Sequence, residues 1–258
     1  MIEPAASATS RPAATLIVLR DGPAMAPEIL MVQRAATMAF AAGALVFPGG
    51  ALDEDDYRLA ETFADGLPVD EAAARIGAIR ETLEESGIAP GLNVRDPGLL
   101  AEMRTALASG MLFSELIRSN DLLLKIGMLT PFSRWHPNPA EKLRHVFDTR
   151  FFLARYDWDG PEPTVDNTEH VDLFWASARD TLARCAAGGG RIIFPTRRNL
   201  ERLAQFDSIT DLQSHAQATP VEKVVPWIED RPQGRFLCIP NHLGYPVCEE
   251  RVDTASRG

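Results

Sequence analysis

Residues 80–88 read Arg80-Glu81-Thr82-Leu83-Glu84-Glu85-Ser86-Gly87-Ile88. The three glutamates of this segment are spaced by three and four positions, so on an α-helix they lie on one face. Ile76, Ile79 and Leu83 fall on roughly the opposite face of the same helix. This pattern predicts an amphipathic helix that turns a cluster of carboxylates towards solvent and an apolar side towards a core.

The carboxylate cluster has two interpretations. Each like-charged pair at this spacing costs a helix about 0.2–0.5 kcal/mol, so a solvated acidic face is tolerable but unfavourable. The alternative is a binding site for a hard divalent cation, which prefers oxygen ligands. The turn Phe47-Pro48-Gly49-Gly50 upstream favours the second interpretation, because glycine allows the backbone to approach a ligand closely.

Together, the turn and the helix resemble the Nudix box, G-x5-E-x7-R-E-U-x-E-E-x-G-U, in which U is a bulky aliphatic residue. The second half of the box matches from Arg80 to Ile88, except that Thr82 stands where an aliphatic residue is usual. Arg80 follows Gly50 by 30 positions. The compact motif has 14, which indicates an insertion of about 16 residues. Because Ala72 stands eight positions before Arg80, we expect no counterpart of the first motif glutamate.

The resemblance implies an α/β fold of the Nudix type, an α/β/α sandwich with a mixed sheet and extra helical insertions. We expect a tail at residues 1–12, a single domain over residues 13–250 and a flexible tail at residues 251–258. The insertions are expected at about residues 51–69 and 97–120. No linker or internal repeat divides the chain.

The resemblance also implies an activity, a Nudix pyrophosphohydrolase that uses Mg²⁺ or Mn²⁺ to hydrolyse a diphosphate joined to another group by attack of water on phosphorus. Its metal ligands would be Glu81, Glu84 and Glu85, with the Gly50 carbonyl as a further ligand. Arg80 would hold a glutamate of the cluster in place through a charge-assisted hydrogen bond. Phosphate repels an attacking hydroxide, and divalent cations relieve that repulsion.

Three residues outside the box are candidates for the same site. Glu169 is the candidate general base, with a solvated loop acid as the alternative interpretation. Arg34 and Arg150 are candidates for phosphate contacts, with outward-facing strand residues as the alternative. An anionic substrate requires such local positive charge in a chain whose net charge is −10.

The substrate is less well determined than the chemistry. Residues 30–34, the long insertion in the box and residues 147–152 resemble the branch of the family that cleaves coenzyme A. Met38-Ala39 stand where that branch has a basic residue. ADP-ribose, NADH or a sugar nucleotide is the alternative substrate. A non-catalytic Nudix module that only binds a ligand is the alternative from another functional class.

Composition limits the remaining possibilities. The chain has 258 residues, of which 45% are hydrophobic and 24% charged, as is usual for a soluble globular protein. The net negative charge argues against a nucleic-acid partner, and no apolar run has the ~20 residues of a membrane helix. Three cysteines without metal-ligand spacing indicate free thiols in the cytoplasm. The sequence is compatible with a homodimer.

The order of elements supports a layered α/β domain. Residues 14–20 and 28–34 are predicted to form a β-hairpin, followed by a strand at residues 45–47 and a short helix within residues 51–69. Asp70 and Gly87 are the expected caps of the glutamate helix. Two helices are predicted within residues 97–120, strands at residues 146–156 and 171–175, and helices after Ser177 and at residues 195–206.

Overall fold

The computed structural model describes residues 10–23, 26–36, 41–138, 146–157, 159–165 and 169–255. The strands are β1 (Arg11–Asp21), β2 (Pro27–Arg34), β3 (Leu45–Val46), β4 (Gly49–Ala51), β5 (Thr130–Trp135), β6 (Phe147–Arg155), β7 (His170–Ser177), β8 (Lys223–Val224), β9 (Trp227–Arg231), β10 (Gly234–Cys238) and β11 (Glu249–Arg251). The helices are α1 (Glu54–Phe63), α2 (Val69–Ser86), α3 (Pro97–Ala108), α4 (Phe113–Ser119), α5 (Ala178–Ala186), α6 (Phe194–Leu203), α7 (Ile209–Ala218) and α8 (Val252–Ala255).

A mixed sheet organises the fold. Its strand order is β3-β2-β1-β6-β5-β8, with β4 also paired to β1 and β7 to β2. Strands β1 and β6 run parallel, as do β5 and β8, while β1 and β2 form the predicted antiparallel hairpin. Strand β1 lies at the centre, since its first half is hydrogen-bonded to β4 on one edge and to β6 on the other.

The two faces of the sheet carry separate cores. Leu16 and Val18 of β1 pack on one side with helices α1 to α4, whereas Ile17 and Leu19 pack on the other side with α5 to α7. This alternation follows from the strand period of two residues. Helices therefore cover both faces, and the predicted α/β fold with a mixed sheet is confirmed.

The glutamate helix α2 is more enclosed than its sequence pattern predicts. Gly87 ends it in the left-handed region at φ 72°, which confirms the predicted C-cap. Its N-cap is Pro68 rather than Asp70, so the helix begins at Val69. The expectation of a solvent-facing carboxylate side is wrong for Glu85, which is 6% exposed, because other elements cover that side of the helix too.

The expected insertions are helical. Residues 51–69 contain α1, and residues 97–120 contain the two predicted helices α3 and α4. Strand β1 begins at Arg11, within the segment expected to be a tail, and α8 follows residue 250. The described helices include none with the length and apolarity needed to span a membrane.

The last fifty residues, which the sequence pattern did not place, form α7, β8 and a second, three-stranded sheet in the order β11-β10-β9. We call residues 225–251 the C-terminal segment. Its strands are short and have only partial alternation of buried and exposed residues. Short strands of this kind carry a weak periodic signal, so their pairing depends on contacts made elsewhere in the chain.

One buried acid links three strands at the edge of the main sheet. Both carboxylate oxygens of Asp148 on β6 accept hydrogen bonds from Arg134 on β5, at 2.7 and 2.8 Å. Lys223 of β8 lies 2.7 Å from the same carboxylate. Burial alone would raise the pKa of Asp148, but the two cations outweigh it and lower the pKa to about 2.

We expect Asp148→Asn to destabilise the fold in a pH-dependent way. The folded pKa lies below the unfolded value, so the ion pairs stabilise the fold above about pH 4 and lose that effect as the pH falls towards 2. The full shift corresponds to about 2.5 kcal/mol, and screening by solvent reduces the expected loss at neutral pH to about 1 kcal/mol. Urea unfolding at about pH 7 and about pH 3 measures both values.

Asp230→Asn is the matched control, because the side chain of Asp230 is 83% exposed and pairs only with an exposed arginine in the described chain. It should change the free energy of unfolding by less than about 0.5 kcal/mol. A loss in Asp148→Asn that is equally large at both pH values would contradict the ion-pair explanation.

Candidate functional site

The Gly49-Gly50 turn and helix α2 meet at the candidate site. The backbone N–H of Gly49 donates to Glu85 Oε2 at 3.0 Å. A Cβ at Gly50 would lie 2.5 Å from Glu81 Oε2 and 2.6 Å from its carboxyl carbon. The turn therefore needs glycine at position 50 because the Glu81 carboxylate occupies the space of a side chain.

Arg80 connects the carboxylates of the site. Its buried guanidinium donates from Nη1 to Glu81 Oε1 and Glu84 Oε1, both at 2.9 Å. It also donates from Nε and Nη2 to the two oxygens of Asp56, at 3.0 and 2.9 Å, and from Nη2 to the Ala51 carbonyl at 3.0 Å. Burial opposes a charge on Arg80, but these acceptors outweigh it and raise its pKa. Arg80 thus holds the Glu81 and Glu84 carboxylates in place, while the part predicted for it in catalysis stays a prediction.

Asp56 supplies the acid that the spacing from Arg80 does not reveal. Asp56 is the sixth residue after Gly50, the position at which the compact box has its first glutamate. Ala72, at the expected distance before Arg80, is instead a fully buried core residue. The additional residues therefore lie between Asp56 and Arg80. Counting forward from the glycine finds this acid, whereas counting backward from the arginine misses it.

Arg104 of helix α3 holds the other end of α2. Its Nε donates to the Glu84 carbonyl at 2.8 Å, and its Nη2 donates to the Glu85 carbonyl at 3.0 Å. Its Nη1 donates to the Thr164 hydroxyl at 3.0 Å. Carbonyls of the last helical turn have no partner within the helix, so Arg104 satisfies two of them and fixes the backbone beneath both glutamates.

The two inner glutamates are strongly desolvated. Burial raises the pKa of Glu81 to about 7, against the opposing effect of Arg80. Burial, together with the charge of Glu81, raises the pKa of Glu85 well above its usual value, although the Gly49 N–H acts in the other direction. Two carboxylates in such surroundings would be stabilised by a bound cation.

A single cavity of about 620 Å³ opens beside these glutamates. Its lining includes Arg34, Gly50, Glu81, Glu85 and Glu169 of the residues predicted from the sequence. The other lining residues are mainly apolar: Val46, Phe47, Trp135, Phe147, Phe151, Ile193, Phe194, Pro226 and Leu237. The polar side chains among them belong to Arg11, Thr15, His136, Asn138, Thr149 and Thr196. The cavity thus has one charged region and one apolar region.

The charged region contains Arg34 and Glu169, whose charges act on Glu85. Arg34 Nη2 lies 4.0 Å from Glu169 Oε2, and the Arg34 side chain is 15% exposed. Glu169 is held by its carbonyl, which accepts from the Ala35 N–H at 2.8 Å. The fully buried His170 places Nε2 3.5 Å from Glu85 Oε1. Arg34 therefore lines the cavity on the same side as Glu169, and its contact with phosphate stays a prediction.

Three predicted site residues do not line the cavity: Arg80, Glu84 and Arg150. Glu84 turns its carboxylate to Arg80 and is 34% exposed. Arg150 lies on β6 between two lining residues, with Nε 3.6 Å from Glu71 Oε2. Adjacent strand residues face opposite sides of a sheet, which explains its position. Contacts of Glu84 with metal and of Arg150 with phosphate stay predictions.

The donor set at this site fits a hard divalent cation. Carboxylate oxygens and a backbone carbonyl suit Mg²⁺ or Mn²⁺, and the space beside Gly50 lets the Glu81 carboxylate approach the turn. Among the residues that the structure describes, no three His, Cys, Asp or Glu side chains converge as a ready metal-binding group. The acids are instead distributed between Arg80, the Gly49 N–H and the cavity.

The chain is similar to known proteins whose family agrees with the geometry of this site. The chain is 31% identical to a NUDIX hydrolase from Alicyclobacillus acidocaldarius of known crystal structure, with a TM-score of 0.72 over 80% of this chain and 96% of that one. The chain belongs to the Nudix hydrolase superfamily. No family model matches it.

More distant Nudix relatives carry a more specific name. Acyl-coenzyme A diphosphatase NUDT19 of Gallus gallus is 27% identical over 78% of this chain and 67% of its own length. The Homo sapiens protein of the same name is 25% identical over 86% of this chain and 72% of its own length. The predicted resemblance to the coenzyme A branch of the Nudix family is thereby confirmed as a similarity.

Three residues at this site are not among those predicted from the sequence: Asp56, Arg104 and His170. Asp56 is recoverable from its spacing to Gly50, as described above. Arg104 and His170 belong to no box motif, and their distance in the chain from their partners gives no local signal. Only the packing of α3 and β7 against α2 brings them into place.

We expect Asp56→Ala to destabilise this Nudix fold by about 3 kcal/mol, because it leaves a buried guanidinium without two of its hydrogen bonds. Glu54→Ala is the matched control in the same helical turn, since the side chain of Glu54 is 92% exposed. Urea unfolding compares the two variants with the parent chain. Equal free energies of unfolding for all three chains would show that the Arg80–Asp56 pair does not stabilise the fold.

We expect Gly50→Ala to weaken Mn²⁺ binding by at least about tenfold, equivalent to about 1.4 kcal/mol, because the new Cβ displaces the Glu81 carboxylate. Isothermal titration calorimetry with Mn²⁺ measures the effect. Gly127→Ala is the control, because its Cβ would meet only the Asp65 carboxylate at an ordinary 3.5 Å. Unchanged Mn²⁺ affinity in Gly50→Ala would contradict the prediction that Glu81 is a metal ligand.

Proposed function

We propose that this Nudix hydrolase uses Mg²⁺ or Mn²⁺ to cleave the diphosphate linkage of a coenzyme A-like or nucleoside-diphosphate-linked substrate by attack of water on phosphorus. Acyl-coenzyme A is the substrate class that we favour. The observation that carries this proposal is the placement of the desolvated Glu81 and Glu85 at the Gly49-Gly50 turn, facing a cavity that also contains Arg34.

The assignment of roles starts from the acids. Glu81 and Glu85, with Glu84 and the Gly50 carbonyl, would hold the metal ions. When bound, such ions neutralise phosphate charge and acidify water. Arg80 keeps Glu81 and Glu84 in fixed positions through its two 2.9 Å hydrogen bonds.

Arg34 and Glu169, which also line the charged region, would bind phosphate and activate water. Arg34 is partly buried beside the glutamates and would bind a non-bridging phosphate oxygen. Glu169, exposed at the cavity and close to Arg34, would accept the proton of the attacking water. The acids inside the site are less suited to that task if they coordinate metal, because their lone pairs are then occupied.

Coenzyme A is favoured over other diphosphates by two observations. The relatives named acyl-coenzyme A diphosphatase match more than two thirds of this chain. The apolar region of the cavity also suits a substrate with an apolar group far from its diphosphate. ADP-ribose, NADH and sugar nucleotides carry no such group, and they are the competing substrates to test.

Products identify the substrate class directly. We expect mass spectrometry to detect 3′,5′-ADP and 4′-phosphopantetheine after incubation with coenzyme A and Mg²⁺ or Mn²⁺. ADP-ribose and NADH are the comparison substrates. Release of AMP from those two, without cleavage of coenzyme A, would replace the proposed substrate. Binding of these compounds without turnover would indicate a ligand-binding module.

Glu85→Gln tests the role of the acids. We expect at least a roughly hundredfold loss of kcat, since loss of a metal-supporting group typically costs 10- to 100-fold and a direct ligand no less. The fold should be retained, because the raised pKa of Glu85 means that its charge opposes folding at neutral pH. A Gln oxygen can still accept from the Gly49 N–H.

Glu102→Gln on the exposed side of α3 is the control and should retain full activity. Thermal unfolding of both variants separates lost catalysis from lost structure. Turnover by Glu85→Gln at the rate of the parent chain would exclude Glu85 from the metal site.

A further inference from the structure

The apolar region of the cavity is completed by the C-terminal segment, which lies outside the main sheet. Pro226 follows β8, and Leu237 lies on β10 of the three-stranded sheet, yet both line the same cavity as the glutamates. The Asn138 amide donates to the Pro226 carbonyl at 2.9 Å, which joins the segment to the loop after β5. The segment therefore forms a wall of the candidate site.

This wall is firmly anchored. The buried Arg198 of α6 donates to the Val247 carbonyl at 3.2 Å and to Glu250 Oε2 at 3.1 Å. The buried Tyr245 accepts a hydrogen bond from Trp135 Nε1 at 3.0 Å. Rigid attachment on two sides means that a changed side chain on the wall alters the shape of the cavity rather than moving the wall.

Trp135, which donates a hydrogen bond to Tyr245 of the C-terminal segment, lies several strands from the Gly49-Gly50 turn. Strand β4, which carries Gly50, is separated from β5 by β1 and β6. Neighbouring strands are about 4.8 Å apart, so Trp135 on β5 lies roughly 14 Å from the turn across the sheet. A group that packs against Trp135 must therefore belong to a part of the substrate remote from its diphosphate.

The chemistry of this region favours an aliphatic group. Trp135 and Phe194 pack edge to face with ring centroids 6.0 Å apart, and Leu237 and Pro226 extend this apolar surface. His136 and Asn138 also line the cavity, where His136 Nδ1 lies 2.7 Å from the Pro137 carbonyl and the Asn138 amide donates to the Pro226 carbonyl. The indole N–H of Trp135 is already bonded to Tyr245. Recognition of a base such as adenine requires polar groups that read its edge, whereas an alkyl chain requires only apolar contact.

We propose that Leu237 is a specificity-determining residue: the wall formed by the C-terminal segment receives the alkyl chain of an acyl-coenzyme A and limits its length. This inference rests on the proposed function, because it assigns a part of that substrate to a part of that cavity. Discrimination by an apolar pocket is about 10- to 200-fold per methylene-sized change, which is large enough to measure.

The test compares kcat/KM for coenzyme A and its acetyl, decanoyl and palmitoyl thioesters in the parent chain and two variants. Leu237→Trp shortens the pocket and should lower the decanoyl-to-acetyl ratio of kcat/KM by at least about tenfold. Leu237→Ala lengthens the pocket and should raise the palmitoyl-to-decanoyl ratio. Ile228→Ala is the matched control, since Ile228 pairs with Leu237 across the same sheet but is 40% exposed and does not line the cavity.

A second measurement separates failure of this inference from failure of the proposed function. Calorimetric binding of decanoyl-coenzyme A and coenzyme A in the presence of EDTA needs no turnover. We expect Leu237→Trp to weaken decanoyl-coenzyme A at least about tenfold more than coenzyme A. If coenzyme A is bound but not cleaved, the proposed function fails while this comparison still decides the role of Leu237.

Two outcomes would overturn the inference. Equal weakening of all the ligands by Leu237→Trp would mean that the wall contacts a part common to them, such as adenine or pantetheine. Unchanged ratios in both Leu237 variants, with the fold intact by thermal unfolding, would mean that the alkyl chain lies elsewhere.

Discussion

The buried guanidinium of Arg80 is the constraint on which the rest of this site depends. It bonds to the carboxylates of Asp56, Glu81 and Glu84 and to the Ala51 carbonyl. Burying a charge without partners is costly, so the helices α1 and α2 and strand β4 must converge at this point. The same convergence places the carboxylates beside the Gly49-Gly50 turn, where their mutual repulsion favours a cation.

Three parts of the chain outside the glutamate helix contribute separately to the site. The residues inserted between Asp56 and Arg80 lengthen the connection without disturbing the acid–arginine pair. Helix α3 supplies Arg104, which fixes the last turn of α2. The C-terminal segment contributes Leu237 to the opposite end of the cavity. Helix α3 therefore supports the carboxylate end of the cavity, and the C-terminal segment forms part of its lining.

Local sequence patterns predicted those elements whose hydrophobic period or capping residues are visible within the element itself. The hairpin of β1 and β2, the helices α3 and α4 and the Gly87 cap follow from hydrophobic period and turn chemistry, and the structure confirms them. The sequence pattern predicts no elements in the C-terminal segment, because strands of three to five residues are too short to show a clear hydrophobic period. Its arrangement depends on contacts with α6 and β5.

The sequence alone determined the identity and spacing of Arg80 and its glutamates, because neighbours on one helix have a fixed geometry. Only the tertiary structure decided the burial and the partners of those acids. Burial of Glu85, the pairing of Asp56 with Arg80 and the approach of Leu237 to the cavity each join residues far apart in the chain. Such contacts depend on how helices and sheet pack together, and no local pattern encodes that packing.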